Sequence, residues 1–245
     1  MTTAAATWAE IREGRELLRD DDLLVLDKPA GWSVMGERHD TDLVRLARDA
    51  GDTLWPAHRI DKVTSGIVLF ARRLEVHGGL TRQFADRTVA KTYLAIASGT
   101  GLPERGTIDL PLSVGRKNRV RIAAPREAIT RVDDHWSVPG DAVLPGESYP
   151  STTTFERVSA GDDRTLLAVT PTTGRRHQIR VHLAWIGHAL VGDPLFAKNP
   201  PTRTGLHAWR LAFTGPDTAR HDLEAPPGAD FRALMPAPRE HFHAL

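Results

Sequence analysis

The stretch His58-Arg59-Ile60-Asp61-Lys62-Val63-Thr64-Ser65-Gly66-Ile67-Val68-Leu69-Phe70-Ala71 sets a polar cluster directly before a continuous apolar run. Ile67 to Ala71 is short, begins β-branched and follows a glycine, a pattern that predicts a buried strand. A buried strand fixes the turn before it, and there a reacting side chain can be held in place. Asp61 is the only acid between Ala57 and Arg73, among His58, Arg59, Lys62, Arg72 and Arg73. Cationic neighbours favour a charged carboxylate. For an isolated Asp-Lys pair the plain reading would be an ion-paired aspartate at a strand entrance.

The rest of the chain bounds what that cluster can do. With 245 residues, 40% hydrophobic and 26% charged, the chain has the make-up of an ordinary globular protein large enough for a real core. It contains no cysteine, which excludes disulfides, thiolate catalysis and Cys-ligated zinc. No apolar run approaches transmembrane length, and Met1 to Ala6 lacks the pattern of a signal peptide, so no membrane partner and a cytoplasmic location are expected. Formal net charge is only +1, yet six Arg or Lys and a single Glu127 lie between Gly115 and Arg131. A local basic face can hold a phosphate backbone even on a nearly neutral chain.

Met1 to about Arg12 reads as a loosely held arm in which Trp8 could pack. Leu23 to Leu26, between an acidic run and Lys28-Pro29-Ala30-Gly31, reads as a strand ending in a turn. Asp40-Thr41-Asp42 offers helix N-cap chemistry before Leu43, Leu46 and Ala47, with Gly51 as a stop. Leu80 and Phe84 mark a surface helix, and Lys91 to Ala97 a strand carrying Tyr93. In the basic stretch, Val120 and Ile122 alternate with Arg119 and Arg121, as on a strand or hairpin with one basic face. Residues 133–150 hold three prolines, two glycines, four acids and no Lys or Arg, which predicts an exposed acidic insertion. Thr152 to Val158 and Thr165 to Thr170 read as paired strands. Ile179, Leu183 and Ile186 fall on one face of a helix stopped by Gly187, with Arg176 and Arg180 as neighbours on it, and likewise Gln178 and His182. His177 and His182 have no third ligand at usable spacing, so no metal site is expected.

His-Arg-x-Asp-x-x-Thr-Ser-Gly before an apolar strand resembles the catalytic motif of the RluA-type pseudouridine synthases, which isomerise selected uridines in RNA. Further matches follow in family order. Asp20 to Gly31 is similar to the first motif, and Arg87-x-x-x-Lys91-x-Tyr93 to the second. Thr173-Gly174-Arg175-Arg176-His177-Gln178-Ile179-Arg180-Val181-His182-Leu183, with Gly187-His188 and Gly192-Asp193 beyond it, is similar to the third. His207 to Leu211 and Glu224-Ala225-Pro226 match the closing strand and tail, so the likeness runs from about Leu18 to Phe231.

The resemblance implies an α+β fold, a large mixed and mainly antiparallel sheet with flanking helices and a central catalytic cleft. It implies an N-terminal arm over 1–15 and a catalytic domain over 16–245, with no separate RNA-binding domain ahead of it. It also implies catalytic Asp61, Tyr93 and Arg180: the nucleophile, the residue facing the target base, and the ion-pair partner of Asp61. Arg59 would enter the space of the flipped-out uridine, His58 would be a further substrate-binding residue, and Gln178 and Arg175, also counted as substrate-binding, would shape the cleft. Arg116, Lys117, Arg119 and Arg121 are the candidate phosphate contacts. The implied partner is a structured ribosomal or transfer RNA stem-loop, with no metal or organic cofactor and a monomer as the default. Whether Asp61 attacks C1′ or first abstracts a proton stays open at the level of sequence, as does the RNA. A non-catalytic RNA binder on the same fold would make Asp61 dispensable. A glycoside hydrolase needs a paired acid, and no second carboxylate accompanies Asp61 within His58–Ala71 or Arg180 within Thr173–Leu183. Lys62, Ala189 and Phe196 depart from the commoner family residues arginine, proline and tyrosine.

Overall fold

The computed structural model describes residues 7–36 and 41–235, and Met1 to Ala6 and Asp40 of the sequence reading lie outside them. The fold is α+β, with mainly antiparallel strands and few helices. The described chain forms two units, one running up to Lys91 and taking in His207–Pro227, the other Thr92–Leu206 with the segment from Gly228 on.

In the first unit, β1 (Glu16–Arg19), β2 (Leu23–Lys28), β4 (Ser65–Ala71) and β13 (Leu206–Thr214) lie in that order, with β3 (Trp55–Pro56) against β4 and β14 (Arg220–Glu224) against β13. Every residue of β4 is buried, as its unbroken apolar pattern requires of a strand covered on both faces. It pairs antiparallel with β2 and parallel with β13 at Ser65↔His207 and Gly66↔Ala208. That crossing explains Gly66. Its φ is +106°, and a Cβ there would stand 2.2 Å from the Ala208 carbonyl oxygen. Beside it, buried His207 accepts from the Ser65 hydroxyl at Nδ1 (2.7 Å) and donates from Nε2 to the Ala225 carbonyl (2.8 Å). Leu23, Val25, Ile67, Leu69, Leu211 and Phe213 fill the core.

Among the described residues, three helices belong to this unit. Residues 8–12, expected within a loose arm, form α1 (Trp8–Arg12), whose Thr7 and Glu10 make a capping box. Trp8 is buried and donates its indole N–H to Asp52. Asp42 caps α2 (Leu43–Asp49), and α3 (Leu74–Ala85) turns Leu80 into the core.

In the second unit, β5 (Ala90–Ser98), β12 (Arg164–Pro171), β11 (Thr152–Ala160), β6 (Arg105–Asp109), β10 (His135–Ser137) and β9 (Thr130–Val132) follow one another. All pairs are antiparallel except β10 with β6. The acidic stretch is therefore not wholly an exposed insertion. Its strand β10 buries Trp136 against Phe155, and the Arg131 guanidinium of the neighbouring β9 lies over the indole. Two short strands, β7 (Leu112–Val114) and β8 (Val120–Ile122), form a separate hairpin. The unit ends with α4 (Gln178–Trp185) and α5 (Ala229–Arg232).

Helix α4 is buried almost throughout, not on one face alone. It starts at Gln178, because His177 takes the left-handed conformation (φ 57°), so Arg176 lies outside the helix and is not the helical neighbour of Arg180 that periodicity suggests. At the other end Arg126 donates to the carbonyls of Ala184 and Trp185, satisfying acceptors that a helix end leaves open.

Candidate active site

In the first unit, Asp61 sits on the turn that delivers the chain into β4. Its carbonyl accepts from Thr64 N at 3.0 Å. The following carbonyl, that of Lys62, accepts from Gly31 N at 2.8 Å and from Lys28 Nζ at 3.4 Å. Lys28 is wholly buried, and Nζ also donates to the carbonyls of Pro29 (2.9 Å) and Trp32 (2.6 Å). An ammonium with three backbone acceptors is a strong tie in a low-dielectric interior. The Lys-Pro-x-Gly loop and the Asp61 turn are thereby fastened together, and Lys62 Nζ reaches Thr41 Oγ1 at 3.1 Å. Asp61 itself is partly exposed and Arg59 exposed, so both side chains can be reached from solvent.

His58 has a different place. Its ring stacks on Phe84 with centroids 4.4 Å apart, and Nε2 accepts from Leu69 N at 3.1 Å. Burial, reinforced by the nearby Lys91 charge, pushes its pKa down to about 3, so the ring is neutral and holds the Asp61 approach to β4. Burial, then the Arg87 charge, also lowers the pKa of Lys91.

In the second unit, Arg180 is 4% exposed and belongs to the first turn of α4. Nε and Nη2 donate to the two carboxylate oxygens of Asp193 at 2.8 and 2.6 Å, a buried bidentate pair. Gln178 donates from Nε2 to the Thr152 carbonyl (2.9 Å) and Thr153 Oγ1 (3.1 Å), while Oε1 accepts from Thr173 Oγ1 (2.5 Å) and Arg175 N (3.2 Å). Thr153 Oγ1 also lies 2.9 Å from His182 Nδ1, and His182 Nε2 lies 3.0 Å from the Leu110 carbonyl. A carbonyl only accepts, so Nε2 carries the proton and Nδ1 accepts from Thr153. Burial pushes the His182 pKa down to about 4, against weaker opposing pulls from that carbonyl and from Asp109. Gln178 and His182 thus meet through Thr153, and Gln178 supports the loop before α4. Tyr93 lies on β5 opposite Val169, partly exposed and packed against the core. Arg175 is exposed, its guanidinium 4.8 Å from the Tyr149 ring centre.

The basic stretch divides in two. Arg126 and Arg131 serve the fold as described above, and Arg131 pairs with Asp134. Arg116, Lys117, Arg119 and Arg121 are all exposed on the β7–β8 hairpin, and among the described residues none has a carboxylate partner. Lys117 and Asn118 both take positive φ at its tip, and Arg176 donates to the Asn118 carbonyl. Sequence reasoning did not single out Asp193, Lys28 or Thr153. Asp193 had a signal, since it follows Gly192 in a matched motif; the other two become visible only when their partners are located.

Comparison with known proteins decides the family. Residues 22–185 match the model of RNA pseudouridylate synthase. The chain belongs to that family, as the RluA-type motifs imply. Members are isomerases acting on RNA. The chain is 33% identical over 248 residues to ribosomal large subunit pseudouridine synthase D of Nitrosomonas europaea, with 93% of this chain and 66% of that relative aligned. It therefore spans just under two thirds of that relative's length. It is 35% identical over 228 residues to tRNA pseudouridine synthase C of Pasteurella multocida, with 82% and 86% aligned. Among solved structures, human RNA pseudouridylate synthase domain containing 4 shares the fold, with a TM-score of 0.72 at 23% identity over 91% of this chain and 92% of that one. Among the described residues no helix is long and apolar enough to cross a membrane.

Proposed function

We propose that this protein isomerises specific uridines in structured stem-loops of ribosomal or transfer RNA to pseudouridine, with Asp61 as nucleophile and the target base flipped out of its stem. The carrying observation is Asp61, accessible on a turn that Lys28 and Gly31 fasten through the Lys62 carbonyl, in a chain of this family. The reaction breaks the bond from C1′ to N1 of uracil and forms one from C1′ to C5. The C5 proton leaves and N1 gains one, so the product is an isomer. An ionised aspartate can attack and later depart, and a site that retains the detached base favours its re-addition.

In this reading Arg180 is the ion-pair partner of Asp61, Tyr93 faces the target base and Arg59 fills the place that the base leaves, offsetting part of an unstacking cost of a few kcal/mol. Arg175 lines the site. His58 and Gln178 act on it through the backbone and loop that they hold. The exposed Arg116, Lys117, Arg119 and Arg121 meet phosphates. The protein works as a cytoplasmic monomer, which fractionation and light scattering would check. The direct test is tritium release from C5-labelled uridine in unmodified ribosomal and transfer RNA transcripts. Release that scales with enzyme supports the proposal. RNA binding without release from either pool contradicts it and favours a binding protein.

A further inference from the structure

Arg180 stands where elementary electrostatics disfavours it. It is the third residue of α4, in the turn where the helix dipole repels cations, and its side chain is almost wholly buried. Asp193 works against both penalties. Asp193, with no exposed side-chain surface, grips the Nε–Nη2 edge in a fork. A fork of two parallel hydrogen bonds fixes the plane and direction of a guanidinium as well as its charge. Stability alone does not account for such a pair, because replacing buried ion pairs by apolar residues is often neutral or favourable.

Asp193 is itself held on a rigid turn. Its Oδ1 accepts from Leu195 N at 2.9 Å and its carbonyl from Phe196 N and Ala197 N at 3.1 and 3.0 Å. The preceding Gly192 has φ +67°, and a Cβ there would lie 2.1 Å from the Arg203 carbonyl oxygen, so the backbone packs tightly at the foot of the turn. These contacts set the place of the carboxylate, and its fork sets that of the guanidinium.

We infer that Asp193 is a positioning residue for the isomerisation, acting through Arg180 by fixing the plane of its guanidinium. This rests on the reading of Arg180 as a residue of the reacting site. Displacing a positioned group by about 1 Å costs about 10²-fold in rate, and both Asp193→Glu and Asp193→Asn do so. The first keeps the charge but moves the carboxylate outward by a methylene. The second keeps the shape but offers an amide donor to a guanidinium that only donates.

The experiment measures single-turnover tritium release and RNA affinity for the wild type, Asp193→Glu, Asp193→Asn, Arg180→Lys and the Asp193→Asn/Arg180→Lys pair. Rates are normalised to RNA-binding-competent protein, which removes any loss that comes from misfolding. The expected result is a rate lowered by about 10²-fold in both Asp193 variants, with RNA affinity within about twofold of wild type. In the Arg180→Lys background the Asp193 change should cost less than about threefold, because residues acting as a unit are not additive. Wild-type rates in the Asp193 variants with a slow Arg180→Lys would overturn the inference and leave the Arg180 reading standing. So would equal costs of Asp193→Asn in the two backgrounds. A wild-type rate in Arg180→Lys would remove Arg180 from the site, and the inference with it. If Asp193→Asn does not fold, Asp193→Glu alone decides: a normal rate overturns the inference.

Discussion

Replacing His182 by glutamine should leave a protein that is less stable at neutral pH but loses less stability on acidification. In the folded chain the imidazole is neutral, with Nε2–H given to the Leu110 carbonyl and Nδ1 accepting from Thr153. Protonation would remove that acceptor and place a charge at a site with no solvent exposure. The pKa falls accordingly from an ordinary 6.5 to about 4. Between these values the unfolded chain takes up a proton that the folded chain refuses, so stability is lost as pH falls through this window and the loss is complete below pH 4. Going from pH 7 to 4.5, linkage gives about 2 kcal/mol for this one group. Glutamine can present an acceptor and a donor without titrating. Urea unfolding of both proteins at pH 7.0, 5.5 and 4.5 reads the difference directly. His58 titrates in both and cancels. The wild type should lose about 2 kcal/mol more than His182→Gln over that range. Equal losses would mean that His182 is not the buried neutral group described.

Gly66→Ala should prevent native folding or lower stability by more than about 3 kcal/mol, since strain at positive φ adds to a clash with the Ala208 carbonyl that neither backbone can relieve; a native-like melting temperature would contradict the β4–β13 crossing. Arg119→Gln with Arg121→Gln should weaken RNA binding and reduce the slope of log affinity against log salt by up to about two, while single-turnover chemistry at saturating RNA holds; an unchanged slope would make the hairpin a solvated face. Lys28→Met removes the ammonium shared by the Pro29, Trp32 and Lys62 carbonyls and should cost about 2–4 kcal/mol, with tritium release by the folded fraction slowed through the loosened Asp61 turn. Urea midpoints and normalised rates together would show it, and an unchanged rate would uncouple Lys28 from the site.

Local pattern was enough where neighbours in sequence determine the outcome. The β4 strand, the pair β11 and β12, the Asp42 cap and the basic hairpin all follow from periodicity, turn residues or cap chemistry. Distant partners defeated local reading. β10 exists because residues 135–137 pair with 107–109 of β6, and no periodicity within an acidic loop announces that. Periodicity puts Arg176 on α4, but the helix begins only at Gln178 because a non-glycine residue, His177, takes a left-handed conformation, which a hydrophobic pattern does not encode. Motif resemblance singled out Asp61 and Arg180, but not what holds them. Lys28 acts on a carbonyl 34 residues away, and Asp193 on a guanidinium 13 residues away. These supports are geometric, and the sequence carries only their residue types.

Everything proposed for this protein turns on Asp61 as the nucleophile of a uridine isomerase. That role is tested most directly by wild type and Asp61→Asn side by side, measuring both RNA affinity and tritium release from C5-labelled uridine at saturating RNA. Affinity should be nearly equal and the release rate of Asp61→Asn lower by more than about 10³-fold, the scale on which removal of a nucleophile acts. Substantial turnover by Asp61→Asn would contradict that role.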